Sequence, residues 1–172
     1  MDTNGKIKLA QKGDDNAFYE LINERKGQLY KTAFAYVKNK EDAMDIVSDT
    51  VYKSYMAIKN LKEPSLFNTW LTRILINTSI DCIKKSSRAV SFKENVSSEI
   101  CETTKDDDQL IDLKAAVDNL HENYKTIVIL KYFQDMTLTE IANTLQCPLG
   151  TVKTNLHKAL KELRVDLKEE LL

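Results

Sequence analysis

Apolar residues in this chain recur with the period of an amphipathic helix wherever they are dense. Ala17, Leu21 and Ile22 share one face, and Leu29, Tyr30, Ala33, Phe34 and Val37 continue the pattern. Asn39-Lys40 predicts a short turn, after which a helix from Glu41 carries Ala43, Ile46, Val47, Thr50 and Val51 on its buried side. The stretch LKEPSLF, Leu61 to Phe67, predicts a turn, and FNTWLTRILINTSIDCIKK predicts a further helix with Trp70 and Leu71 mainly structural. The pattern as a whole predicts an all-α chain.

The most informative segment is TLTEIANTLQCPLGTVKTNLHKALKEL, Thr137 to Leu163. Thr137 and Glu140 form a T-x-x-E capping box, in which each side chain satisfies a free backbone N–H of a first turn. Ile141, Ala142 and Leu145 give the short helix one apolar side. Gln146 to Gly150 then breaks it, since proline lacks an N–H and glycine tolerates strained dihedrals. Val152, Leu156, Ala159, Leu160 and Leu163 form the stripe of a second helix. Its other face, Thr151, Lys153, Thr154, Asn155, His157, Lys158 and Lys161, is rich in hydrogen-bond donors. A helix-turn-helix places such a face in the major groove of DNA. The plain alternative is a solvated amphipathic helix; the combination of capping box, small Ala142, Pro/Gly turn and basic face favours DNA.

Composition changes this picture little, but charge distribution sharpens it. The 172 residues, 30 % charged and 42 % hydrophobic, suit one domain or two small ones. The net charge is −1, so the whole chain is no generic polyanion binder. Yet Thr72–Arg88 and Leu145–Val165 each carry a local excess of +3, whereas Ala89–Asp108 carries −4. That acidic segment, rich in Ser and Thr and poor in apolar period, reads as a tether; an extra surface helix is the alternative. Two small helical domains, residues 1–88 and 109–172, joined by a flexible linker at 89–108, are therefore expected.

Several classes are excluded. No apolar run suits a signal peptide or approaches the roughly 20 residues of a membrane span, so a cytoplasmic protein is expected. Cys82, Cys101 and Cys147 show no C-x-x-C spacing and the two histidines are far apart, which argues for reduced cysteines and against a zinc site. No nucleophile–base pair, metal cluster or phosphate loop is legible. An enzyme, a cofactor and a small-molecule substrate are not expected.

Two further features invite function. Asp42, Asp45 and Asp49 recur at i, i+3 and i+7 with Ser48 beside them: either a solvated face or a docking surface for a basic protein element. Trp70, the single tryptophan, precedes the basic Lys84, Lys85 and Arg88, an arrangement that suits single-stranded nucleic acid, although a lone Trp is more often core.

Taken in order, DAMDIVSDTVYKSY, F-x-TWL-x-RI-x-x-NT-x-x-D, an acidic linker and LTEIANTLQCPLGTVKTNLHKALKELR resemble an extracytoplasmic-function (ECF) sigma factor of bacterial RNA polymerase, from about Asp14 to Arg164. YVKNKEDAMDIV resembles the SigV-type subgroup. The resemblance implies a sigma domain 2 helical bundle and a sigma domain 4 helix-turn-helix. It implies that Asp42, Asp45, Ser48, Asp49 and Tyr52 dock on the β′ clamp helices of core polymerase. It implies that Lys62, Ser65, Phe67, Asn68, Arg73 and Asn77 open and read the −10 element by capturing a flipped base, with Lys84, Lys85 and Arg88 on phosphates. Gly150, Thr151, Lys153, Thr154, Asn155, His157, Lys158 and Lys161 would read the −35 duplex.

The implied partners are core RNA polymerase through the β′ clamp helices and the β flap, promoter DNA, and an anti-sigma factor anchored in the membrane. The implied programme is a stress or cell-envelope response. Relatives often carry Gln-Glu at Ser48-Asp49, and arginines at Lys153, Asn155 and Lys158. Lysine lacks arginine's two-pronged contact with guanine, so phosphate anchoring and shape reading of A/T-rich DNA are expected. Two other classes compete: a stand-alone helix-turn-helix transcriptional regulator and a protein-binding adaptor. The N-terminal motifs disfavour the first and the polar recognition face the second.

Overall fold

A computed structural model describes residues 2–90 and 116–169, with side chains in 2–86 and 116–165. Every regular element among them is a helix, and the chain divides into two compact units, Met1–Val96 and Ser97–Leu172. The expected tether begins in the last two residues of a helix and otherwise lies outside the described residues, as does Cys101.

The first unit contains α1 (Thr3–Gln11), α2 (Asp15–Asn23), α3 (Lys26–Val37), α4 (Lys40–Ala57) and α5 (Phe67–Val90). Two 3-10 turns, Ile58–Asn60 and Pro64–Leu66, connect α4 to α5. Short polar side chains set the starts: Asp2, Asp14 and Asn39 each accept a backbone N–H of the following turn. Asn39 is thus the cap of α4 and Lys40 already helical, where the sequence suggested a two-residue turn. Gly13, at φ +97, makes the bend from α1 to α2 that a side chain would resist.

Leu21, Leu29, Ala33, Ala43, Ile46, Leu71 and Leu75 from α2 to α5 form the core, joined by Ile7 and Ala10 of α1. Burying one such aliphatic side chain contributes roughly 1.5–3 kcal/mol. Thr32, Thr50, Ser54, Thr78 and Ser79 are buried where α3, α4 and α5 pack. The Thr50 and Ser79 hydroxyls donate to the carbonyls of Ile46 and Leu75, one turn back, which removes the cost of burying them.

The second unit contains α6 (Glu122–Tyr132), α7 (Leu138–Leu145) and α8 (Leu149–Glu169). Thr126 to Leu130 of α6 are five successive buried residues, so the middle of this helix is enclosed on all sides. Both halves of the expected capping box on α7 are present: the Glu140 N–H donates to Thr137 Oγ1 at 3.2 Å, and the Thr137 N–H to Glu140 Oε2 at 2.8 Å.

The turn after α7 is made differently from the sequence expectation. Gln146 takes the left-handed conformation at φ 52, and the Cys147 N–H reaches the Ala142 carbonyl at 3.1 Å while the Gln146 N–H reaches that of Asn143 at 3.4 Å. This six-to-one, five-to-two pair is a Schellman ending. Gly150 is an ordinary helical residue of α8, whose start is the Pro148 carbonyl accepting the Thr151 and Val152 N–H groups.

Candidate functional site

The acidic residues on α4 stand at its surface: Asp45 and Asp49 are exposed and Asp42 half-buried. Their row runs along the edge facing α5. Lys53, one further turn along, donates to Thr78 of α5 at 3.0 Å, and the Cys82 thiol of α5 feels all three aspartates. Burial first, then Asp42, pushes that thiol's pKa up, and Lys85 partly offsets the effect. Ser48 and Tyr52 lie on the other edge of α4, where they line a groove of about 580 Å³ against α2. Phe18, Tyr19, Ile22 and Val51 supply its apolar wall, and Tyr55 closes it. Tyr52 is 66 % exposed. The five expected docking residues therefore share one helix surface but meet two different neighbours.

Sequence reasoning passed over Tyr19 and Tyr55, which border this groove. The signal was available in part, because Ser48, Tyr52 and Tyr55 recur at i, i+4 and i+7.

The segment from Lys62 to Leu66 is a short surface tip. Lys62 and Ser65 are exposed, as is Asn68 at the start of α5. Phe67 corrects the sequence reading: it is 1 % exposed and belongs to the core. It opens the buried row Phe67, Leu71, Leu75, with its ring centre 5.9 Å from that of Trp70. Leu66, 46 % exposed and not singled out from sequence, stands at the surface of the tip instead.

Arg73, Asn77 and Lys84 are exposed and recur at i, i+4 and i+11, one face of α5. Lys85 is exposed as well, one position further round the helix and three residues on from Cys82. Arg88 lies where side chains are not described. Trp70 is half-buried against the core, as expected of a structural tryptophan.

In the second unit the division of α8 is clean. Val152, Ala159 and Leu163 are buried, with Leu156 and Leu160 packed beside them. Gly150, Thr151, Lys153, Thr154, His157, Lys158 and Lys161 are exposed, and Asn155 is half-buried. A Cβ on Gly150 would meet nothing within 4 Å, so the fold does not itself require glycine there. Among the described residues no group of His, Cys, Asp and Glu could hold a metal ion, and no helix is long and apolar enough to cross a membrane.

A helix-turn-helix with a donor-rich face, preceded by a bundle with an acidic helix edge, defines a class of transcription protein, and comparison with known proteins gives the family. Residues 21–89 match the Sigma-70 region 2 family and residues 110–163 the Sigma-70 region 4 family. The chain is 35 % identical to RNA polymerase sigma factor SigV of Bacillus subtilis (strain 168), over 87 % of this chain and 90 % of that protein. It is 28 % identical to ECF RNA polymerase sigma factor SigW of the same organism, over 95 % and 96 %. The chain belongs to the ECF sigma factors of RNA polymerase.

Two solved structures share its fold. CnrH, in complex with the cytosolic domain of CnrY, has a TM-score of 0.76 at 19 % identity and covers 97 % of both chains. The sigma factor RpoE of Bartonella quintana, in complex with the anti-sigma factor NepR, has a TM-score of 0.73 at 23 % identity, covering 88 % of this chain and 96 % of that one.

Proposed function

We propose that this sigma factor docks on core RNA polymerase through the exposed surface of α4, with Asp42, Asp45, Ser48, Asp49 and Tyr52 in contact with the β′ clamp helices. The exposed position of Asp45, Asp49 and Tyr52 on one rigid helix supports that role. The tip from Lys62 to Leu66 takes a base of the −10 element, Asn68, Arg73 and Asn77 line the strand, and Lys84, Lys85 and Arg88 hold phosphates. Phe67 serves this task from behind, by anchoring the tip.

The exposed polar face of α8 reads the −35 element, and this observation carries the functional reading furthest: a capped helix, a Schellman turn and a buried stripe together leave Lys153, Thr154, His157 and Lys158 facing outward. Gly150 lets a phosphate approach the start of α8, where the positive end of the helix dipole favours an anion. Lysine rather than arginine at 153 and 158 favours phosphate anchoring over guanine contacts.

Two weak DNA modules acquire affinity by being held together on polymerase, through effective concentration. The acidic linker at 89–108 joins them. The β flap is the contact for the second unit. Regulation follows the pairing seen for RpoE with NepR: an anti-sigma factor covers the docking surfaces, and holds the chain at the inner face of the membrane if it is itself membrane-anchored. The programme served is a stress or cell-envelope response.

The test is permanganate reactivity of thymines upstream of a start site. Reactivity that needs core polymerase and this chain together supports promoter opening by the pair. Reactivity absent under all conditions, with site-specific binding by the chain alone, supports a stand-alone regulator instead.

A further inference from the structure

The tip after α4 is exposed, but both its ends are buried. Lys62, Glu63, Ser65 and Leu66 face solvent, whereas Leu61 before them is 8 % exposed and Phe67 after them 1 %. Neither 3-10 turn in this connection has a side-chain cap of its own. The carbonyls that follow the end of a helix need donors from elsewhere.

The Ile58 carbonyl accepts the Leu61 N–H at 3.1 Å, and one side chain adds to that bond and reaches on to the Leu61 carbonyl. Gln11, the last residue of α1, donates its side-chain amide to the Leu61 carbonyl at 2.6 Å and to the Ile58 carbonyl at 3.2 Å. An amide NH2 has two donors, and this geometry gives each a carbonyl. α1 also packs against both 3-10 turns, and Ile7 and Ala10 sit in the same core as Ile58, Leu61 and Phe67. At the far end of the tip the Arg25 guanidinium lies 6.0 Å from the centre of the Phe67 ring, at cation–π distance. The tip is thus held at its entry by Gln11 and at its exit by a packed ring.

We infer that Gln11 is a positioning residue for −10 selectivity: its amide fixes where the Lys62–Leu66 tip stands, and thereby which base that tip accepts. The inference rests on the reading of the tip as the −10 reader. Gln11 lies outside the 21–89 match to the region 2 family and acts through backbone carbonyls. Gln11→Glu keeps the shape and turns both donors into acceptors that repel the two carbonyls. Gln11→Lys returns a donor of similar reach.

The experiment uses the full chain, core polymerase and a promoter recovered from genomic fragments, randomised either across the −10 element or across the −35 element. Each promoter variant carries its own transcribed barcode, and the barcodes in the transcripts are counted to give base preferences. Gln11→Glu should flatten the −10 preference at least roughly fivefold, the size of one of the two lost hydrogen bonds, and leave the −35 preference unchanged. Gln11→Lys should recover most of it, and hydrogen exchange of the Leu61–Leu66 amides should quicken in the glutamate variant alone.

A wild-type −10 profile in Gln11→Glu overturns the inference, as does equal flattening at both elements, which marks a general loss of folded protein. A tip variant, Lys62→Ala with Ser65→Ala, separates the two levels. If it changes the −10 profile while Gln11→Glu does not, the role of Gln11 falls and the reading of the tip stands. If the tip variant changes nothing, the reading of the tip falls, and the inference with it.

Discussion

The phenol of Tyr55 donates a 2.7 Å hydrogen bond to the carboxylate of Asp15, joining the last part of α4 to the first turn of α2. The same ring meets Phe18 edge-on, with centres 5.2 Å apart, so one side chain closes the groove beside the docking surface by both polar and apolar contact. The hydrogen bond to Asp15, and then its charge, raise the phenol pKa above the ordinary value of 10.0.

A pH effect follows from that shift. The folded phenol holds its proton more tightly than the unfolded one, so the bond's contribution is complete below about pH 10 and is lost as pH rises through the folded value. Unfolding measured between about pH 9 and 11 should show an alkaline loss of stability that Asp15→Asn and Tyr55→Phe both reduce. An alkaline limb identical in all three proteins would show that the bond does not persist in solution.

The cap of α7 works in the opposite direction. The Thr137 N–H and hydroxyl hold the Glu140 carboxyl below its ordinary 4.5. Its stabilisation is present above the unfolded value and is lost as pH falls through the folded one. Acid unfolding of the second unit should therefore lose part of its pH dependence in Glu140→Gln. Thr137→Ala should cost about 1 kcal/mol at neutral pH in urea unfolding.

Phe67 separates a structural role from a contact role. Because the ring is buried, Phe67→Ala should destabilise the first unit by about 3–5 kcal/mol. That is a large part of the stability of a domain this size. A variant as stable as wild type but defective on promoter DNA would return Phe67 to the DNA-facing surface.

The lysines of α8 make a salt-dependent prediction. Lys153→Ala and Lys158→Ala should each weaken −35 binding similarly across sequences and reduce the slope of log affinity against log salt by about one. Strict dependence on a guanine, lost in Lys153→Ala, would mean base readout where phosphate anchoring is expected.

How much of this was legible beforehand varied with the kind of signal. Where a helix buries one face, the period was readable: Ala43, Ile46 and Thr50 of α4 are buried, and so are Val152, Ala159 and Leu163 of α8. The capping box was readable because it is local. α1 was not, since Ile7 and Ala10 are its only buried residues and lysines surround them. α6 shows no period because its middle is enclosed on all sides.

Turn chemistry misled at Gly150, because the sequence contains two residues able to end a helix and the backbone used Gln146. Phe67 misled because a residue beside an exposed loop can still begin a buried row. Neither the reach of Gln11 across 50 residues nor the bond from Lys53 of α4 to Thr78 of α5 has any local signature. Such contacts exist only once the helices have packed.

The most direct measurement is run-off transcription by core RNA polymerase on a pool of genomic fragments, with and without this chain. Discrete new starts should appear with the chain and vanish with Asp45→Arg plus Asp49→Arg, two exposed positions whose charge reversal leaves the core untouched. No new starts, accompanied by sequence-specific DNA binding of the chain alone, would contradict a polymerase subunit docked through α4.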